Sequence, residues 1–176
     1  MTEKRIKTWE DCVAFHGHEC GGLTIGYKAS LYAIELLNLK FSQDEEVVCV
    51  TENDACGVDA IQVMLGCTVG KGNLMFRLRG KQAFNFYNRS TGKSVRLILR
   101  PLPEMDRSKR RAYMVDKHPS ELFDVKPTIF ALPEEARIFD SYACDNCGES
   151  TAEYMLRCEN GKKLCPDCYV PYTRSF

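Results

Sequence analysis

Between residues 22 and 39, Leu23, Tyr27, Leu31, Ile34 and Leu37 recur at three- and four-residue steps, and Ile25, Ala29 and Leu36 widen the stripe. That period predicts a helix with a broad buried face. Asn38 and the polar run Ser42-Gln43-Asp44-Glu45-Glu46 end it, and Val47-Val48-Cys49-Val50 reads as a short buried strand rich in β-branched residues. A second helix is expected over about 57–65, through Val58, Ile61, Gln62 and Met64, stopping at Gly66. Strands over 74–78, 83–87 and 95–99 follow, divided by Gly80-Lys81 and by Ser90-Thr91-Gly92-Lys93. The pattern predicts an α+β fold, with helices packed on a mainly antiparallel sheet that contains a three-stranded meander. Residues 104–118 are charged and read as helical, while 119–133 are punctuated by proline and give no clear period.

Composition narrows the picture. The 176 residues suit a core domain over 1–140 and a small appendage over 141–176. Twenty-four basic and twenty-four acidic side chains balance, which argues against a nucleic-acid binder held by net charge. The basic stretch Arg107-Ser108-Lys109-Arg110-Arg111 reads as a solvated face, with an acidic partner surface as the minority reading. No apolar run is long enough for a bilayer, and the first eleven residues lack the apolar stretch of a secretory signal. A reducing, cytoplasmic setting is expected, so ten cysteines grouped in C-x-x-C pairs point to metal rather than to disulfides.

Cys144-Asp145-Asn146-Cys147 and Cys165-Pro166-Asp167-Cys168 lie 17 residues apart, the spacing of a four-cysteine structural zinc site. Each turn presents two thiolates, and two turns complete a tetrahedron. Glu159-Asn160-Gly161 favours a type I′ hairpin between them, which predicts a zinc ribbon or treble-clef-like module whose folding depends on its ion. Iron is not separable from zinc by spacing. A thioredoxin-like redox pair would leave the second C-x-x-C unexplained. Cys158 reads as a packed hairpin residue.

Phe15-His16-Gly17-His18-Glu19-Cys20-Gly21-Gly22 sets two imidazoles and a thiol at the entrance of the first apolar helix. There the positive end of the helix dipole favours a thiolate. Glu52, Asp54, Cys56 and Asp59 cluster after the expected strand 47–50, and Cys67 sits in the glycine-dense loop 66–73. His16 is equally a site residue or a satisfied polar group near the core, whereas His18 with Cys20 suggests shared coordination or chemistry. Two acidic neighbours would raise the Cys56 thiol, so a metal or the helix dipole must activate it. Asp54 and Asp59 read first as caps of the second helix and second as holders of a ligand histidine. Cys12 and Cys49 read as small core residues, Cys67 stays undecided, and Lys71 meets either an anion or solvent. A Cys20–Cys56 or Cys56–Cys67 disulfide competes with metal.

The segment 15–22, the segment Cys56-Gly57-Val58-Asp59-Ala60-Ile61-Gln62 and Gly66-Cys67-Thr68-Val69-Gly70-Lys71-Gly72-Asn73-Leu74 together resemble, over about 10–130, the FmdE family, which takes its name from formylmethanofuran dehydrogenase. Gly21 stands where members often carry proline, and Leu65 where they often carry threonine; the glycine loosens the Cys20 loop. The resemblance implies a homodimer and a cleft lined by His16, His18, Cys20, Cys56, Asp59 and Cys67. On that basis the expected core metal set is His18, Cys20, Cys56 and Cys67, holding a second transition metal, and the expected catalytic set is Cys20, Cys56, His16 and Asp59. It also implies service in redox or one-carbon metabolism, or an accessory role docked on partner subunits of a molybdenum or tungsten redox complex.

Overall fold

A computed structural model describes residues 7–174 and divides the chain into two compact units at Ala136–Arg137. In the first unit, α1 (Trp9–His16) starts at a capping box: the Thr8 hydroxyl accepts the Asp11 N–H, and the Asp11 carboxylate accepts the Thr8 N–H. Gly17, at φ 90°, stops it in the left-handed region that glycine tolerates. The apolar stripe then forms α2 (Gly21–Leu37), which Asn38 ends at φ 49°. β1 (Val47–Thr51), α3 (Gly57–Leu65) and β2 (Leu74–Phe76) follow, then β3 (Ala83–Asn88) and β4 (Ser94–Leu99).

The sheet order is β2-β1-β3-β4 with a fifth strand, β5 (Phe123–Lys126), at the far edge. Among the described residues only β1 and β2 pair in parallel, joined by the α3 crossover, so the sheet is mainly antiparallel as expected. The meander differs from the sequence reading. Its first expected strand leaves it, because β1, buried along its whole length, takes the place beside β3 and pushes the shorter β2 to the edge.

Alternate residues of β1 serve two layers. Val47 and Cys49 join Phe84, Phe86, Val95 and Leu97 under the helices, while Val48 and Val50 pack with Tyr87, Met75 and Phe130 on the other face. The proline-punctuated segment supplies that second cover, and the Tyr87 hydroxyl donates to the Phe130 carbonyl at 2.7 Å. Residues 104–118 form only a 3₁₀ turn and the six-residue α4 (Arg110–Val115), and the proline-punctuated segment that follows holds α5 (Pro119–Leu122) and β5. Among the described residues no helix is long and apolar enough to cross a membrane.

The second unit is built from two hairpins, β6 (Ser141–Ala143) with β7 (Ser150–Ala152) and β8 (Arg157–Glu159) with β9 (Lys162–Leu164). Asn160 and Gly161 both take positive φ, at 49° and 78°, as a type I′ turn requires. Its buried centre is small, with Cys144, Leu164 and Cys165 backed by Cys168 and Tyr169.

Candidate metal centres

The two helices that carry the core site touch through glycine. A Cβ on Gly26 would overlap the Gly57 carbonyl, so α2 and α3 approach closely only because both positions lack a side chain. That approach sets Cys20, the N-cap of α2, beside Cys56, the N-cap of α3. A Cβ on Gly22 would sit 3.1 Å from the Cys56 Cβ and 3.8 Å from the Cys20 Sγ.

His16, at the end of α1, completes the group. Its Nδ1 lies 2.7 Å from the Asp59 carboxylate, and its Nε2 lies 3.7 Å from the Cys20 Sγ. A carboxylate only accepts, so in the neutral ring Nδ1 carries the proton and Nε2 presents its lone pair toward the thiols. Asp59 sits three residues after Cys56, on the same side of α3, and Gln62 Nε2 donates to its other oxygen at 3.2 Å. The Leu23 N–H donates to the Cys20 Sγ at 3.2 Å, the side-chain cap that opens α2. Burial pushes the Cys56 thiol up, and the charges of Cys20 and Asp59 add to that. A cation between the thiols would offset each of these effects. His16, Cys20 and Cys56 each place one donor atom within 4.8 Å of the others, a spread that one metal ion can bridge.

Two expected ligands stand apart from this group. His18 lies in the exposed turn after α1 and stacks on His16 with ring centroids 4.5 Å apart, so the imidazole joined to the thiols is His16, the one Asp59 holds. Cys67 is a core thiol: it is fully buried, it donates to the Val47 carbonyl at 3.5 Å, and burial pushes it up to about 12. The described cysteines are all free, so Cys56 is paired with neither Cys20 nor Cys67.

Other candidates resolve as structure. Glu52 is buried in an ion pair with Arg96 at 2.6 Å and accepts from Asn85. Asp59 holds the histidine rather than capping α3, whose N-terminus has no side-chain cap, and Asp54 is exposed. Lys71 donates to the Ser42 carbonyl at 3.0 Å. Cys12 and Cys49 are fully buried core residues.

Cys20 and Cys56 open on a cleft of about 560 Å³ that Arg107, Arg110 and Arg111 also line. A second, shallower hollow of about 410 Å³ meets His16, Cys56 and Asp59, with Val69 and Phe76 on its rim. The arginine wall was missed in sequence because it comes from a segment some ninety residues away from Cys20. The Gly22/Gly26 spacing on α2 was a legible sign of close helix approach.

In the C-terminal unit, Cys144, Cys147, Cys165 and Cys168 likewise hold their sulfurs within 4.8 Å of one another. Backbone N–H groups of Cys147, Cys165 and Asn146 bring the Cys144 thiol down to about 6, and the Cys165 N–H lies 3.3 Å from that sulfur. Asn146 Nδ2 donates to the Cys168 Sγ at 3.3 Å. Cys158 lies outside the cluster, and it is exposed on its hairpin rather than packed as the sequence suggests. Four sulfurs in two backbone-braced turns form a set that can hold a metal ion on all sides.

Three comparisons relate the chain to known proteins. A tungsten formylmethanofuran dehydrogenase FmdE-like protein from Syntrophus aciditrophicus shares the fold at a TM-score of 0.66, with 22% identity over 95% of this chain and 96% of that one. A probable S-adenosyl-L-methionine-binding protein from Archaeoglobus fulgidus is 27% identical over 191 aligned positions, 90% of this chain; the chain spans about half that relative's length, 51%. The family model described as FmdE, molybdenum formylmethanofuran dehydrogenase operon, matches residues 15–125, and the chain belongs to the FmdE family.

Proposed function

We propose that His16, Cys20 and Cys56 form an open metal centre that acts on a small molecule in cytoplasmic redox or one-carbon metabolism, and that the C-terminal cysteines hold a structural zinc. The observation that carries this reading is the three-donor group itself, with His16 Nε2 directed to the thiols by the Asp59 carboxylate. Two thiolates and one imidazole suit zinc or a neighbouring transition metal, and three protein donors leave a coordination position for a ligand. When bound, such an ion supplies a Lewis acid for an oxygen or sulfur of the ligand.

The chain's own residues do the rest. Asp59 fixes the tautomer and aim of His16, and Gln62 fixes Asp59. The N–H of Leu23 steadies the Cys20 thiolate. His18, exposed against the His16 ring, is placed to take or give a proton at the rim of the cleft.

Metal analysis of anaerobically purified protein tests this. The wild type should carry two ions per chain. Cys20→Ser/Cys56→Ser should lose one, and Cys165→Ser/Cys168→Ser the other. A Cys20→Ser/Cys56→Ser protein with unchanged metal content would remove the core centre.

A second reading makes the chain an accessory component of a molybdenum or tungsten redox complex. It is favoured by the operon in the family's description. It predicts a retained core metal with no turnover of formyl or thiol substrates by the isolated chain, and turnover in isolation would exclude it. The S-adenosyl-L-methionine binding in the archaeal relative's name attaches to no particular residue here, because this chain covers only half of that protein.

A further inference from the structure

The cleft beside the thiols has a charge of its own. Arg107, Arg110 and Arg111 follow the i, i+3, i+4 spacing of one helical face, and all three line it. Against these three guanidinium groups the lining residues include one carboxylate, Glu19. That carboxylate is already taken: it lies 2.7 Å from Arg111 and accepts from the Trp9 indole N–H at 3.0 Å. The side chains of Arg107 and Arg110 form no ion pair among the described residues.

Two further atoms point the same way. Gln82 Oε1 and Arg111 Nε are the buried side-chain polar atoms left without a hydrogen-bond partner among the described residues, and both residues line this cleft. A buried donor and a buried acceptor left open are each costly unless a ligand or water meets them. The first turn of α2, at Gly21 and Gly22, adds the positive end of a seventeen-residue helix to the same wall. Leu99, Leu102 and Met114 supply an apolar floor.

Resting on the reading of Cys20 and Cys56 as the working site, we infer that this cleft selects a small anionic metabolite. Its carboxylate or phosphate monoester is held by Arg107 and Arg110, which leaves its other end at the thiols. The volume of about 560 Å³ admits a ligand of metabolite size. Gln82 Oε1 accepts a hydroxyl or amide hydrogen from the ligand, and Arg111, braced by Glu19 and Trp9, shapes the wall rather than carrying the main contact.

Alkylation of the metal-free protein tests this without any metal in the reading. Cys20 and Cys56 are treated with iodoacetate, an anion, and with iodoacetamide, its neutral counterpart, and the rates are read by mass spectrometry. The iodoacetate-to-iodoacetamide ratio should be about tenfold higher in the wild type than in Arg107→Gln/Arg110→Gln. That excess should collapse in about 1 M salt. Both substituted side chains are exposed, and circular dichroism checks that the variant is folded. Malonate or inorganic phosphate should slow the reaction, and the stronger protector names the head group. Equal ratios in wild type and variant, or protection by neither anion, would overturn the inference. A separate arm adds two equivalents of Zn²⁺, one for the four-cysteine set and one for the core, and the second should shield both thiols. Its failure would count against the metal centre and leave the anion result standing.

Discussion

The two donor groups of this chain are built by opposite routes. In the C-terminal unit each pair of cysteines sits in one tight turn, braced by backbone N–H groups, and four sulfurs enclose the ion position. In the core, three donors come from three helices, and their meeting depends on two glycines and one carboxylate outside the donor set. A closed local set suits stability, and an open assembled set suits exchange with a ligand. On the proposed reading the ribbon needs its ion to fold, while the core builds its site from a fold that already stands.

The largest way to break this contrast is to strip the ribbon. Its buried centre is a handful of residues around Cys144, Leu164 and Cys165, too small to hold the unit alone. Metal binding there is worth on the order of 10 kcal/mol of folding. Cys165→Ser/Cys168→Ser should therefore collapse the amide NMR dispersion of residues 137–174 while the thermal transition of the core persists. A ribbon that stays dispersed without its ion would put it in the same class as the core.

Next comes the helix contact. Gly26→Ala forces a Cβ into the Gly57 carbonyl, and overpacking of this kind costs about 1–3 kcal/mol or more. The urea midpoint of the core should fall and its metal should be lost with it. Gly70→Ala, where an added Cβ meets nothing within 4 Å, should change neither. Equal midpoints for the two variants would show that the close approach of α2 and α3 is not what assembles the site.

Asp59→Asn is a finer probe. The amide can no longer hold the His16 ring as a carboxylate does, so affinity for the core ion should drop by about 10- to 100-fold with the ribbon's affinity unchanged. Competition with a chromophoric chelator reads both at once.

The smallest effect concerns the loop that leads into β1. The Glu46 carboxyl is held down to about 2 by the Asp44 N–H, its own N–H and the Ser42 hydroxyl. A carboxyl lowered on folding stabilises the native state above its ordinary value of 4.5 and loses that contribution as pH falls toward 2. Glu46→Gln should flatten the core's acid-induced loss of stability in that window and leave neutral-pH metal content alone. An unchanged acid profile would assign the loss to other carboxyls.

What the sequence made legible follows the same division. The C-x-x-C pairs and the Asn160-Gly161 turn are local, so their spacing carried nearly the whole ribbon. The apolar period revealed α2, and the β-branched run revealed β1, because both are set by burial of a continuous stripe. β2 beside β1 was not legible, since a three-residue edge strand owes its partner to the α3 crossover rather than to its own pattern. His16 and His18 are two residues apart and chemically identical; only Asp59, on another helix, separates the ligand from its neighbour. Cys67 stays undecided in the sequence, because the strand that buries it is contributed by residues twenty positions earlier. The arginine wall has no sequence signature that ties it to Cys20.

The most direct test of the open core centre is a crystal of the anaerobic protein measured on both sides of the metal's absorption edge. The account predicts two anomalous peaks per chain, one amid Cys144, Cys147, Cys165 and Cys168, and one bounded by His16 Nε2 and the sulfurs of Cys20 and Cys56 with a non-protein ligand on its cleft side. A single peak in the ribbon, with His16 turned away from two unligated thiols, would contradict it.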